Sequence, residues 1–417
     1  MKQPLALKSF RLKNFKAIRD SGEVRFTPLT VFIGNNGSGK SSLIEGLQTY
    51  QEIVLYHLDT AMNRWRGFEY ITNPPIDFLD SAAESRQKIN PIEFTLRGQT
   101  TASSFRTAMK INMSASGDEV FIEKESLSIR NRRIMERNRD GQRYSPTLKD
   151  TLLRHDILPV MSILSPYSPA FPISDPPLDS LRDANYDTDP YDLGPILSQI
   201  IEWQFVTLNP FVMGEPKPQH RGRGGMTIPR SGIALESDGS NIAEYLLEIR
   251  KRDQDAFEGI IDTLQQVLPY VRDLQPTLTS ELERAVFLQM TEENFKIPGW
   301  LLSTGTLRIL ALLALFRHPS PPSLIVIEEI ENGLDPNTIH MLIDEISHVI
   351  KSGRSQVILT THSPYLLDYL SIDQICLVDR SQKHPTFYRP ADEVELEGWK
   401  DHFRVGQLYT SGKLRRK

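Results

Sequence analysis

Runs of apolar residues recur along this chain, each followed at once by a short polar motif. Leu29-Thr30-Val31-Phe32-Ile33 precedes a glycine-rich turn, Ser323-Leu324-Ile325-Val326-Ile327 precedes two glutamates, and the run over 356–360 leads into Thr361-His362. Strands buried on both faces read this way, and they belong to parallel sheets covered by helices. Helices are expected between them: from Ser41 to about Leu58, over 307–316, and over 337–350. This βαβ rhythm predicts an α/β fold.

Elsewhere the pattern is different. Residues 5–15, 23–26, 92–96 and 120–122 alternate apolar and polar positions, as an antiparallel subdomain with one wet face would. Ile242, Tyr245, Leu246 and Ile249 fall at i, i+3, i+4 and i+7, so 240–270 is expected to be helical. A single helix is expected over 193–205 and a strand over 286–290. Residues 159–190 are crowded with Pro, Ser and Asp, and 215–232 with Gly, Pro and Arg; both read as irregular. The expected division is an N-terminal lobe over 1–125, a helical and irregular insertion over 126–235, a C-terminal lobe over 236–390 and a tail over 391–417. No internal repeat and no sustained heptad is present, which excludes a long coiled-coil arm.

Composition changes this picture little. The net charge of −5 means that nucleic-acid contact would need a local basic patch. One cysteine, Cys376, leaves no internal disulfide framework and fits a reducing compartment. Met1-Lys2-Gln3-Pro4 does not lead into an unbroken apolar run, and no stretch approaches the roughly 20 apolar residues of a membrane span. A cytoplasmic protein without membrane contact is expected.

The chemistry lies in the polar motifs. Gly34-Asn35-Asn36-Gly37-Ser38-Gly39-Lys40-Ser41 fits the G-x-x-x-x-G-K-[ST] pattern, with Ser42 following inside the helix. Its glycines allow backbone N–H groups to turn inward around phosphates at a helix N-terminus. Lys40 would reach the β- and γ-phosphates and Ser41 would ligate Mg²⁺. Glu328 and Glu329 end an apolar strand, where the first acid would lie near the Mg²⁺ shell and the second could polarise a water in line with the γ-phosphate. A solvated acidic strand end is the plainer alternative. Ser303 or Thr306 could be a simple helix cap, or part of a phosphate-binding helix start offered to a second subunit. His362 could sense the γ-phosphate, or be an ordinary satisfied histidine.

Taken in order, the loop at 34–41, Leu302-Ser303-Thr304-Gly305-Thr306, Glu328-Glu329, Glu331-Asn332-Gly333-Leu334-Asp335-Pro336 and Thr361-His362-Ser363-Pro364 resemble the ABC-type ATPases, most closely the RecF/SMC-like and OLD-like AAA ATPases of bacteria. Leu12-Lys13-Asn14-Phe15-Lys16-Ala17-Ile18 and Glu236-Ser237-Asp238-Gly239-Ser240-Asn241 are similar to further segments of that group. The resemblance covers about 5–60 and 235–380. It implies a P-loop NTPase head of mixed or parallel sheet with an antiparallel β subdomain. Glu329 would be the general base, His362 the switch histidine and Glu328 the Mg²⁺-shell acid. Ser303, Gly305 and Thr306 would complete a partner subunit's site, with Gly333-Leu334-Asp335 as the D-loop at the dimer interface. ATP and Mg²⁺ would be the cofactors, and a homodimer or higher homo-oligomer would sandwich ATP between heads. The group's pattern is departed from at Glu328, where Asp is usual, and at Ile330, where many relatives have Pro. Neither Gln87 nor Gln99 stands in a telling Q-loop context, and the roughly fifty residues after His362 are too few for the metal-binding domain of OLD nucleases.

Weaker signals complete the reading. Arg130, Arg132, Arg133, Arg137, Arg139 and Arg143, with Lys413-Leu414-Arg415-Arg416-Lys417, read either as a solvated hairpin and a disordered tail or as a DNA-backbone footprint. His155, His220 and His402 show no metal-ligand spacing. Two roles follow above the ATPase level: the sensor ATPase of an anti-phage defence system controlling a separately encoded effector such as a nuclease, or a DNA-repair or DNA-maintenance ATPase that binds DNA itself. Residues 126–235, including Arg221, Arg223 and Arg230, are expected to dock a second protein, with DNA as the alternative ligand.

Overall fold

The computed structural model describes residues 6–73, 90–100, 103–114, 117, 119–138, 141–144, 196, 199–218, 234–278, 285–380, 383–393 and 403–414. Gln87, Arg139, His155, residues 159–190, His220, Arg221, Arg223, Arg230, His402 and residues 415–417 lie outside them. The chain divides into two compact units. One comprises 1–27, 33–201 and 376–389; the other comprises 28–32, 202–375 and 390–417.

In the first unit an antiparallel sheet is built from β1 (Ala6–Phe15), β2 (Ile18–Asp20), β3 (Val24–Arg25), β5 (Ile92–Gln99), β6 (Ser104–Met113), β7 (Val120–Ile129), β8 (Arg132–Asn138) and β9 (Gly141–Tyr144). The strand order is β2-β1-β5-β6-β7-β8-β9, with β3 pairing β1. β5 alternates buried and partly exposed residues along most of its length, as a sheet with one covered face requires. Phe10, Phe15 and Tyr50 surround Phe94 with ring centroids 6.0–6.4 Å away. Tyr50 belongs to helix α1 (Lys40–Arg64). α1 lies close on β1 because Gly46 has no side chain there; a β-carbon would stand 2.3 Å from Leu12 Cδ2. The expected boundary at 126 therefore falls inside β7, and the arginine-rich stretch continues the sheet as hairpins. The hairpin β17 (Ile375–Asp379) and β18 (Thr386–Tyr388) also belongs to this unit from Cys376 on.

The second unit holds the parallel strands β4 (Leu29–Ile33, whose last residue is assigned to the first unit), β10 (Gln204–Val206), β15 (Leu324–Ile327) and β16 (Gln356–Thr360). Their order is β10-β15-β16-β4, and every residue of each is buried. The helix expected over 193–205 is corrected here. Trp203, Gln204, Phe205 and Val206 are buried, and Phe205 pairs with Val326 in parallel. A neighbouring strand, which lies over a hundred residues away in sequence, outweighs the local helical reading.

Helices α2 (Ile242–Arg252), α3 (Gln254–Val267), α4 (Thr304–Phe316) and α5 (Pro336–Lys351) complete this unit, with a smaller antiparallel sheet of β11 (Lys217–Pro218), β12 (Val271–Leu278), β13 (Ala285–Glu292) and β14 (Phe295–Pro298). Asp253 divides the expected 240–270 helix: its extended backbone ends α2, and its carboxylate accepts from Ala256 N–H to cap α3. From Thr306 to Phe316 α4 is buried apart from Arg308, which is half-buried. Truncating a residue such as Leu310 to Ala would cost about 2–5 kcal/mol. Within the tail, Leu414 is buried and the helix Val405–Thr410 places Gly406 N–H on Asp368. No helix among the described residues is long and apolar enough to cross a membrane.

Candidate functional site

The loop between β4 and α1 depends on backbone that only glycine adopts freely. Gly34, Gly37 and Gly39 have φ of 152°, 71° and 108°. A β-carbon at Gly34 would lie 2.2 Å from the Val378 carbonyl oxygen, and one at Gly39 would lie 2.6 Å from Pro385 Cγ. Lys40 is buried and donates to the carbonyls of Gly34 at 2.9 Å and Asn35 at 3.2 Å, so its ammonium is folded back across the loop. Ser38 N–H donates to Asn35 O, whereas Ser38 Oγ is buried with no hydrogen-bond partner among the described residues. Asn35, Asn36 and Gly37 are exposed, Ser41 is exposed on the first turn of α1 and Ser42 is half-buried. No side chain caps α1. These features fit a polyphosphate: a narrow cradle, an uncapped helix N-terminus and one lysine held over it.

The acidic half is organised by strand register. Ile327 of β15 is level with Leu359 of β16, and Thr360 is level with Phe32 of β4. Glu328-Glu329 and Thr361-His362 therefore both leave carboxyl ends of parallel neighbours, where ligands of open α/β sheets bind. Glu328 N–H extends the pairing to Val206 O, and its side chain is half-buried. Glu329 is exposed and holds a φ of 49°, unusual for a residue with a β-carbon. Its N–H donates to Thr360 Oγ1 at 2.8 Å, and its Oε2 accepts from Asn332 Nδ2. Half-buried His362 donates its backbone N–H to Glu331 Oε1 at 2.5 Å. Such a strand end, with one half-buried and one exposed carboxylate, suits Mg²⁺, which takes one or two carboxylates alongside substrate phosphates.

Ser303 caps α4: its Oγ accepts from Thr306 N–H at 3.1 Å and lies 2.8 Å from Thr306 Oγ1. Ser303 and Thr304 remain exposed, while Thr306 is buried. Gly305 is required by close approach, since a β-carbon would meet Gly333 O at 2.9 Å. Asp335 caps α5 through Asn337 N–H, Thr338 N–H and the Thr338 hydroxyl. The hydroxyl bond leads the effects that lower its pKa below the ordinary carboxylate range. Thus Ser303 and Asp335, both expected to touch nucleotide, also have complete local roles as caps.

Three residues make contacts to which the sequence reading gave no role. Arg308 interrupts an otherwise apolar helix, donates to Leu208 O at 3.1 Å, and has its pKa lowered by burial against the opposing pull of Glu329. An arginine inside a run such as Leu307 to Phe316 was the available signal. Glu331 and Asn332 were visible only as part of a motif. Their contacts with His362 and Glu329 depend on the fold. Gln99, one of the Q-loop candidates, donates to the adjacent Thr100 O.

Residues 6–72 match a family profile described as "AAA ATPase domain". Residues 233–368 match one described as "AAA domain, putative AbiEii toxin, Type IV TA system". A search of curated proteins finds no match. Among solved structures, the chain is similar to an SMC head bound to the C-terminal winged-helix domain of ScpA, with 15% identity, 92% of this chain and 97% of that chain covered, and a TM-score of 0.50. The Smc head domain with a coiled coil and joint from Pyrococcus yayanosii is 12% identical over 98% and 100% of the two chains, at 0.46. The SMC head domain from Thermotoga maritima is 13% identical over 92% and 98%, at 0.42. The first of these carries the fold assignment, and the two lower scores add nothing to it. The fold is that of an α/β P-loop NTPase of the SMC-head kind. Its two AAA-domain matches fall in separate stretches of the chain.

Proposed function

We propose that this chain binds ATP with Mg²⁺, hydrolyses it, and uses the cycle as a dimeric switch that controls a separately encoded effector in anti-phage defence. The observation that carries the hydrolytic reading is the register of β15 and β16, whose carboxyl ends lead into Glu328-Glu329 and Thr361-His362. Lys40 binds the β- and γ-phosphates, while Ser41 and Glu328 hold Mg²⁺. Held there, Mg²⁺ would supply neutralisation of charge developing on the transferred phosphoryl group. Glu329 accepts the proton of the attacking water. His362 contacts the γ-phosphate, and Ser303, Gly305 and Thr306 of a second copy complete the site. The regulatory part is supported by the family description that names an AbiEii toxin of a type IV toxin–antitoxin system.

One experiment separates these layers. A Glu329→Gln protein, which keeps ATP but cannot turn it over, is used as bait in the native host beside wild type and Lys40→Ala. ATP-dependent recovery of a second copy and of one co-encoded effector is the expected result. Recovery that is equal with Lys40→Ala would overturn the switch. A second reading, direct DNA binding, is favoured by the turn Arg130-Asn131-Arg132-Arg133, all four residues of which are exposed. Strong, salt-sensitive gel shifts lost on substitution of those arginines, with no protein recovered, would replace the effector with DNA.

A further inference from the structure

Residues 329–334 form a tight turn, with Asn332 N–H on Glu329 O at 3.0 Å and Leu334 N–H on Glu331 O at 3.1 Å. Two reciprocal bonds tie this turn to the end of β16: Glu329 N–H to Thr360 Oγ1, and His362 N–H to Glu331 Oε1. Thr361 N–H still reaches Phe32 O of the sheet. At His362 the backbone donor bonds a carboxylate from the turn. Charge-assisted bonds of this kind are short and directional, and they fix the backbone that carries the side chain. The other oxygen, Glu331 Oε2, is buried and has no hydrogen-bond partner among the described residues. Leaving that one oxygen buried without a partner is costly, and packing alone would not favour it.

We propose that Glu331 is the positioning residue of the switch histidine: its Oε1 holds the His362 backbone, and so sets where the imidazole stands relative to the γ-phosphate. This rests on the hydrolytic reading above and assigns Glu331 a task separate from that of Glu329. Glu331 touches neither nucleotide nor water in this scheme. It acts through the 362 backbone.

Two conservative variants separate position from charge. Glu331→Gln keeps an acceptor oxygen at the same reach and loses the charge. Glu331→Asp keeps the charge and withdraws the acceptor by one methylene. Positioning predicts that Gln retains kcat within a few-fold, whereas Asp and Ala lose on the order of ten- to a hundredfold, the scale of a small misplacement. The KM for ATP and calorimetric ATP affinity should stay near wild type in all three. Amide hydrogen exchange at residue 362, read without any turnover, should quicken in Asp and Ala and stay slow in Gln. The reverse order, Asp above Gln in kcat, would overturn the proposal in favour of a charge effect, as would unchanged exchange in both Asp and Ala. Should Ala fail to fold, the Gln–Asp order still decides. Should the wild type prove unable to hydrolyse ATP, the hydrolytic reading fails on its own, and the exchange measurement alone judges the Glu331–His362 bond.

Discussion

The glycine loop and the acidic strand end are built by opposite means. At 34–41 the geometry is set by atoms that are missing: two glycines stand where a β-carbon would collide with Val378 O or Pro385, and three hold positive φ. At 328–335 it is set by side chains that are present, since Asn332, Glu331, Thr360 and Asp335 each bond a backbone or carboxylate group. The first half should therefore fail when atoms are added, and the second when groups are taken away. Lys40, whose side chain bonds back across the loop, is the exception that tests this rule.

The largest effect on ATP affinity expected from a single substitution is at that exception. Lys40→Ala should weaken ATP by a hundredfold or more, about 2.7 kcal/mol, because the phosphates lose the cation held over the loop. Titration calorimetry with Mg²⁺ present reads this directly, and wild-type affinity would remove Lys40 from the site. On the acidic side, Glu329→Gln should leave ATP affinity intact while lowering turnover by roughly 10²–10⁴-fold, since the amide cannot accept a proton. Turnover at the wild-type rate would show that Glu329 is not the base.

Gly34→Ala tests the added-atom rule itself. It removes nothing, yet a collision at 2.2 Å and a φ of 152° should cost about 1–3 kcal/mol of stability together with nucleotide affinity. A thermal shift beside calorimetry checks both, and an unaltered protein would break the comparison. Gly305→Glu is less clean as a probe of the signature acting in trans, because any β-carbon there already meets Gly333 O. Exposed Thr304 is the better position. Thr304→Arg mixed with Lys40→Ala subunits should restore activity through one composite site, and head closure with no activity would count against the trans arrangement.

The smallest effect is at Asp335. Asp335→Ala should cost about 1 kcal/mol through loss of a helix cap. The folded-state pKa is lowered, so the carboxylate's contribution is complete above the ordinary aspartate range. It is lost as pH falls below that range through the folded value. Wild type and Asp335→Ala should therefore converge in stability as acid is added. A constant gap down to strongly acidic pH would mean that the cap owes nothing to charge.

Most of the ATPase lobe was legible in the sequence because its parallel strands are buried on both faces and its motifs sit at their ends. The βαβ order, the loop at 34–41, β15 and β16 were all read from local pattern. Local pattern misled where contacts beyond the segment itself supplied the reason for the structure. Gln204–Val206 is a strand because β15 lies beside it. The hairpins past residue 126 extend a sheet that begins at Ala6. α1 runs to Arg64, beyond the expected end, and Trp65 Nε1–H bonds Thr49 Oγ1 of the helix just past that point.

By itself the sequence determined which residue types stand at each strand end: glycines and a lysine, two carboxylates, a histidine one strand over. Periodicity and motif spacing are local properties, and they survive in one dimension. Only the tertiary structure decided that Glu331 holds the His362 backbone, that Gly305 must be glycine because Gly333 is against it, and that Asp335 and Ser303 are engaged as caps. Those contacts depend on hydrogen-bond register between strands and on how closely two backbones approach. Neither is encoded in any short stretch of chain.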